Sequence, residues 1–260
     1  MGETRSKQNS FKRFWELFFR KFWTFFLINM TYFLFCIPII TFGPATTALT
    51  AMMRNIYLER PQFIFSDFKD LFKKNFKKSF LIGIIDVIMI ELAVFLFVFW
   101  DLFFGEEYRT VQMALIFAEA LFLMMNFYIY PQIAVLELPM RAILKNSAII
   151  MFLNPVGEFI ALALFAGYTA LLRAFTIFVV PLTPFVPLAW LAFTAVFCCY
   201  PAIQKVLIEP YYEARGEKNP EIIEVPEGEQ LFKDSGGGES AGSGKRIKEE
   251  GKRSGKKVIK

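Results

Sequence analysis

"FWTFFLINMTYFLFCIPIITFGPATTALTAMMRNIYL" (residues 22–58) decides the fold, because it reads as either one membrane crossing or two. Residues 22–42 carry no charge and have the length of about 20 apolar residues that takes an α-helix across a bilayer. Residues 45–58 are shorter and only mildly apolar. If they do not cross, the six Lys and Arg of residues 1–21 lie outside, against the bias that keeps basic segments in the cytoplasm. Two crossings are therefore expected, with a tight turn at Gly43-Pro44.

The same reasoning extends along the chain. A second pair rises over 79–100, turns at "DLFFGEEYR" (101–109) and descends over 111–136. A third rises over about 149–180, broken near Asn154-Pro155, turns at "PLTPFVP" (181–187) and descends over 188–208. The inner segments 1–21, 54–78, 138–147 and everything from 205 onward then hold 27 of the 29 Lys and Arg, leaving only Arg109 and Arg173 elsewhere. The expected fold is an all-α polytopic bundle of six spans, arranged as three helical hairpins with cytoplasmic amphipathic elbow helices. Both termini are expected to be cytoplasmic.

Composition agrees with lipid as the solvent. The 260 residues are 55% hydrophobic and include 33 phenylalanines, and mean hydropathy is +0.43. A net charge of +5 fits basic cytoplasmic loops in such a chain, and nucleic acid is not an expected partner. The chain has no histidine, which removes histidine metal sites, histidine general bases and Ser-His or Cys-His nucleophile pairs. Cys36, Cys198 and Cys199 lie in apolar runs without metal-ligand spacing. No enzyme activity, cofactor or metal is expected. The first apolar run is too long for a cleaved leader's core, and the start "MGETRS" matches a short acylation pattern of little use to a multi-span chain.

The stretch "SDFKDLFKKNFKKSF" (66–80) reads as one of the elbows. Ser66 suits a helix N-cap, with Asp67 and Asp70 in the first turn. At 100° per residue Phe68, Leu71, Phe72, Phe76 and Phe80 share one side, while Lys73, Lys74, Lys77 and Lys78 lie opposite and Lys69 at the border. A nucleic-acid groove mixes rings and cations, whereas here they segregate. Segregation suits an interfacial helix, with Phe68, Phe72 and Phe76 among acyl chains and the lysines toward anionic headgroups; a partner-binding helix remains the alternative. The segment "FKRFWELFFRKFW" (11–23) has the same character.

Echoes between the hairpins suggest a triplication. Descending segments end in "YLERP" (57–61), "VLELP" (135–139) and "VLIEP" (206–210), and the last two are preceded by Tyr130-Pro131 and Tyr200-Pro201. Such parallel repeats are a known building plan for carriers. Prolines that merely stop helices would produce part of the same pattern.

The stretch "FLINMTYFLFCIPIITFGPATTAL" (26–49), through Asn29, Cys36, Pro38, Thr41, Gly43, Pro44 and Ala45, resembles the start of the YesL family of bacterial integral membrane proteins. The pattern F-x-D-F-K-x-x-F-K-K-N-F-K at 65–77 is similar to that family's next segment. The resemblance implies a bacterial cytoplasmic membrane protein with a supporting role in carbohydrate uptake, and carbohydrate ABC transporter subunits as partners. It carries no catalytic or binding residues with it. In physical terms Pro38 removes a backbone donor inside the first span, and the small residues from Ala45 to Ala51 permit close helix approach.

Charges at bilayer depth are costly and mark candidate sites. At 1.5 Å per residue Glu91 lies about 18 Å above Ser79, and Glu119 about 12 Å below Val111, which puts both near the midplane, where they could face each other across the hairpin. Asp86, Glu91, Glu119 and Arg173 form a candidate intramembrane polar site. The alternative is interhelical glue, with neutral acids bonded to Asn126, Gln112 and backbone. Glu158 sits nearer the inner surface beside Asn154. From residue 213 onward the chain is expected to be a disordered basic cytoplasmic tail (213–260), after an N-terminal amphipathic segment (1–21) and a membrane domain (22–212).

These features leave two function classes open. One is an accessory component of carbohydrate uptake; the other is an independent small-solute carrier or channel using the buried acids.

Overall fold

The computed structural model describes residues 10–221, other than 184 and 186. The possible acylation site at Gly2 and Ser6, and the tail from residue 222 onward, lie outside the described residues. Every regular element described is helical. In chain order these are α1 (Ser10–Arg20), α2 (Phe22–Cys36), α3 (Phe42–Tyr57), α4 (Ile64–Val94), α5 (Trp100–Phe103), α6 (Arg109–Val135), α7 (Met140–Leu153), α8 (Pro155–Ala174), α9 (Thr176–Leu182), α10 (Pro187–Ile203) and α11 (Glu209–Glu213). π-helical turns at Phe95–Phe99 and Gln204–Ile208 join α4 to α5 and α10 to α11.

Four helical stretches are long and apolar enough to cross a membrane: Ile64–Phe97, Glu106–Val135, Pro155–Ala174 and Pro187–Glu213. α2 is apolar but has only 15 residues. Large apolar side chains stand exposed along these helices, among them Leu81, Ile88 and Phe97 on α4 and its π turn, Met113 and Phe117 on α6, and Phe159 and Leu171 on α8. Water would penalise so continuous an apolar exterior, whereas acyl chains do not.

α3, the weakly apolar stretch, is the central post of the bundle. It packs against α2, α4, α6 and α10, and 12 of its 16 residues are buried. Its modest hydropathy follows from that position, since a helix surrounded by protein needs small residues and matched polar groups rather than bulk.

The first turn differs from expectation. α2 ends at Cys36, and Pro38 lies in the turn rather than inside a span. Thr41 closes that turn, its Oγ1 donating to the carbonyls of Phe35 and Pro38, both at 2.6 Å. Gly43 and Pro44 are therefore not the turn; they belong to the first turn of α3, where a proline's missing N–H costs nothing.

The elbow at 66–80 also differs. It is not a separate interfacial helix but the first half of α4, continuous with the apolar half. α4 starts before Ser66, and Asp67 accepts the Phe63 N–H at 2.8 Å. Phe68 does not reach lipid, because it is fully buried with its ring centroid 5.2 Å from that of Phe35. Phe72 lies half-buried 5.0 Å from the same ring, and Phe76 is half-buried behind it. This aromatic side covers the end of α2, while Lys69, Lys73, Lys74 and Lys77 stay exposed. Lys78 is half-buried and donates to the Leu138 carbonyl at 2.9 Å, beyond the end of α6.

The break at Asn154-Pro155 falls where expected, between α7 and α8. The third Leu-x-x-Pro echo does not end a helix; "VLIEP" lies in the π turn leading into α11. Nor does the folded part end at 212, because the chain after α11 returns to the bundle and buries Glu221.

Candidate functional site

The site is built around the crossing of α3 and α4. Gly43 and Gly83 meet there with no room for a side chain, since a Cβ on Gly83 would lie 2.5 Å from both the Cα and the N of Gly43. One turn away, Thr47 Oγ1 donates to Ser79 Oγ at 2.7 Å, and Ser79 Oγ donates to the Asn75 carbonyl at 2.9 Å. Small and hydroxyl-bearing residues at i, i+4 spacing on both helices make this approach possible.

Just beyond the crossing α4 presents Asp86, which is buried. Asn126 Nδ2 donates to its Oδ1 at 2.7 Å, and the Tyr130 hydroxyl donates to Oδ2, both from α6. Tyr32 of α2 lies within hydrogen-bond distance of Thr46 of α3, 3.3 Å between oxygens. Four helices thus contribute to a polar layer inside an apolar exterior. Chemically it holds one carboxyl group with a donor on each oxygen, an arrangement that joins α4 to α6, while the Asn126 Oδ1 in the same layer is buried without a hydrogen-bond partner.

The other three candidates are not gathered here. Glu91 is exposed on α4, and Glu119 is half-buried on α6 with a hydrogen bond to the backbone of Ala93 on α4. Arg173 is exposed near the end of α8. Among the described residues no hydrogen bond or ion pair joins any two of Asp86, Glu91, Glu119 and Arg173. Gln112 does not serve an acid either; it donates to the Leu96 carbonyl at 2.6 Å and accepts from Arg109 at 2.8 Å. Arg109, the outer-turn exception to the charge bias, pairs with Glu106 at 2.9 Å and Asp101 at 3.4 Å.

Pro131 is buried within α6 beside Tyr130, and Pro201 is exposed within α10 beside Tyr200. Both tyrosines of the Tyr-Pro pairs end on a buried carboxyl group, Tyr130 on Asp86 and Tyr200 on Glu221. The spacing in the sequence hinted at a shared role, but the acids that complete it lie far away along the chain. Glu158, fully buried at the start of α8, has neither carboxyl oxygen hydrogen-bonded, although Asn154 beside it bonds the Tyr128 hydroxyl at 3.2 Å.

Helices of spanning length with an apolar exterior, enclosing a buried polar layer, mark the chain as a helical membrane protein. The family described as "Protein of unknown function, DUF624" matches residues 25–102. That match takes in α2, α3, α4, their crossing and Asp86, and leaves Asn126 and Tyr130 outside it. No curated protein matches the chain, and no solved structure does. Among the described residues no cluster of His, Cys, Asp or Glu is placed to hold a metal ion.

Proposed function

We propose that the protein is a six-crossing component of the bacterial cytoplasmic membrane with both termini inside, acting as a non-catalytic accessory to an uptake system. The observation that carries the accessory reading is the state of Asp86. Its two oxygens are engaged by Asn126 and Tyr130, and the other candidate charges stand apart from it. A group so engaged holds helices together, whereas a carrier site needs ligand-facing groups left available.

The element order supports three two-span units, with α2 and α3 as the first, α4 and α6 as the second, and α8 and α10 as the third. Within each pair the two helices pack on one another. α2 and α3 are about 22 and 24 Å long at 1.5 Å per residue, so they cross a bilayer thinned or filled in around their ends. The exposed lysines of α4 on the inner side suit anionic headgroups. Carbohydrate uptake as the setting rests on the resemblance of residues 26–49 and 65–77 to the YesL family, with ABC transporter subunits as the proposed partners.

Purification from the native membrane in lipid separates this from the carrier reading. The accessory role predicts co-purifying transporter subunits and no solute flux when the lone protein is placed in liposomes. Saccharide flux by the lone protein, abolished by Asp86→Asn, would overturn it.

A further inference from the structure

The break between α7 and α8 holds a buried carboxyl group that the polar layer around Asp86 does not use. Glu158, in the first turn of α8, is fully buried, and neither of its oxygens accepts a hydrogen bond. Among the described residues no lysine or arginine pairs with it. An ionised carboxyl group is costly in a low-dielectric interior unless a positive charge stands beside it.

Helix geometry aims this side chain back at the break, because Cα–Cβ bonds tilt toward a helix N-terminus. The break itself is rich in oxygen. Pro155 brings no N–H to the Met151 carbonyl, and α7 ends there with the negative end of its dipole. The Asn154 amide is wedged between α6 and α10, its Nδ2 3.2 Å from the Tyr128 hydroxyl and 3.1 Å from the Cys198 carbonyl oxygen. Gly157 permits this approach, since a Cβ there would lie 2.6 Å from the Cys198 carbonyl oxygen and 3.1 Å from Asn154 Oδ1. The Tyr128 hydroxyl faces both Glu158 and the Cys199 thiol, and its one proton cannot serve both.

Carboxylate, amide, carbonyl and phenol oxygens suit hard cations. One carboxylate among neutral oxygens balances a single positive charge, whereas a divalent ion would leave net charge in the interior. Helices broken within a membrane protein are a recurrent setting for Na+, which their free carbonyl ends attract. We infer that Glu158, Asn154, Tyr128 and the Cys198 carbonyl hold a monovalent alkali cation that fastens the start of α8 to α6 and α10. Full enclosure of Glu158 makes the ion a resident fastener and not a cargo. The inference therefore goes beyond the accessory role and does not rest on the uptake setting.

The test uses the full chain in lipid nanodiscs, with choline as the reference cation at constant ionic strength. Replacing choline by Na+ or K+ should raise the melting temperature saturably and slow hydrogen exchange at Gly157 and Glu158 several-fold. Glu158→Gln should abolish both responses, whereas Glu107→Gln, at an exposed position between α5 and α6, should keep them. Tyr128→Phe removes one oxygen and keeps the ring, so its half-saturating cation concentration should rise several-fold; it decides the matter if Glu158→Gln does not fold, and an unchanged value would then overturn the site. No response by the unmodified protein would leave Glu158 a protonated group and overturn the site. A response that survives Glu158→Gln would place the ion elsewhere and overturn it equally.

Discussion

Gly83 and Gly167 are both helical glycines, and the structure gives them opposite roles. A methyl group on Gly83 collides with the backbone of Gly43, which has no flexible atom to give way. On Gly167 of α8 it meets nothing within 4 Å. Gly83→Ala is therefore expected to destabilise the protein by about 3 kcal/mol through overpacking. Gly167→Ala should be neutral or stabilising by up to about 1 kcal/mol through helix propensity. Thermal melts of the two variants in the same lipid check this, and similar losses for both would contradict the crossing. The small residues after Gly43 were legible as a packing device, but their partner was not. Gly83 sits inside an apolar run that reads as lipid-facing, and nothing local marks it.

At the scale of elements, what the sequence made plain was where helices must stop. Asn154-Pro155 separates α7 from α8, and α6 stops short of Pro139, because proline lacks the donor a continuing helix requires. Amphipathicity was a poorer guide. Segregation of rings from lysines in 66–80 points the aromatic side to acyl chains, yet Phe68 is buried on Phe35, since an apolar face fits a protein groove as well as a lipid one. Tertiary caps were equally hidden. Asn29 of α2 accepts the Ala189 N–H in the first turn of α10 at 2.8 Å and donates to the Thr183 carbonyl at 2.9 Å. It is fully buried, so Asn29→Ala should cost about 2 kcal/mol from the lost cap and the unsatisfied carbonyl. Hydrogen exchange at Ala189 should rise along with the fall in melting temperature. Unchanged exchange there would remove Asn29 from that role.

For the whole molecule, charge placement suggests two crossings in residues 22–58, while the structure shows there a 15-residue apolar helix and a 16-residue one buried on nearly every side, and its four helices of spanning length lie elsewhere. The candidate site was half legible. Asp86 and Asn126 were singled out by their rarity in apolar runs, whereas Glu221 belongs to a polar stretch and pairs with a residue 167 positions earlier. No periodicity spans that distance. The six-crossing proposal puts the turn between α2 and α3 outside, against the packing of Phe35 on Phe68 and Phe72, which draws the end of α2 toward the lysine-bearing half of α4. Ile39 in that turn is 70% exposed. The measurement is labelling of Ile39→Cys by a membrane-impermeant maleimide, in a chain with Cys36, Cys198 and Cys199 replaced by alanine and with Glu217→Cys as the inside control. The account predicts that position 39 labels in intact cells and position 217 only after permeabilisation. Labelling of position 39 only after permeabilisation would contradict the six-crossing bundle.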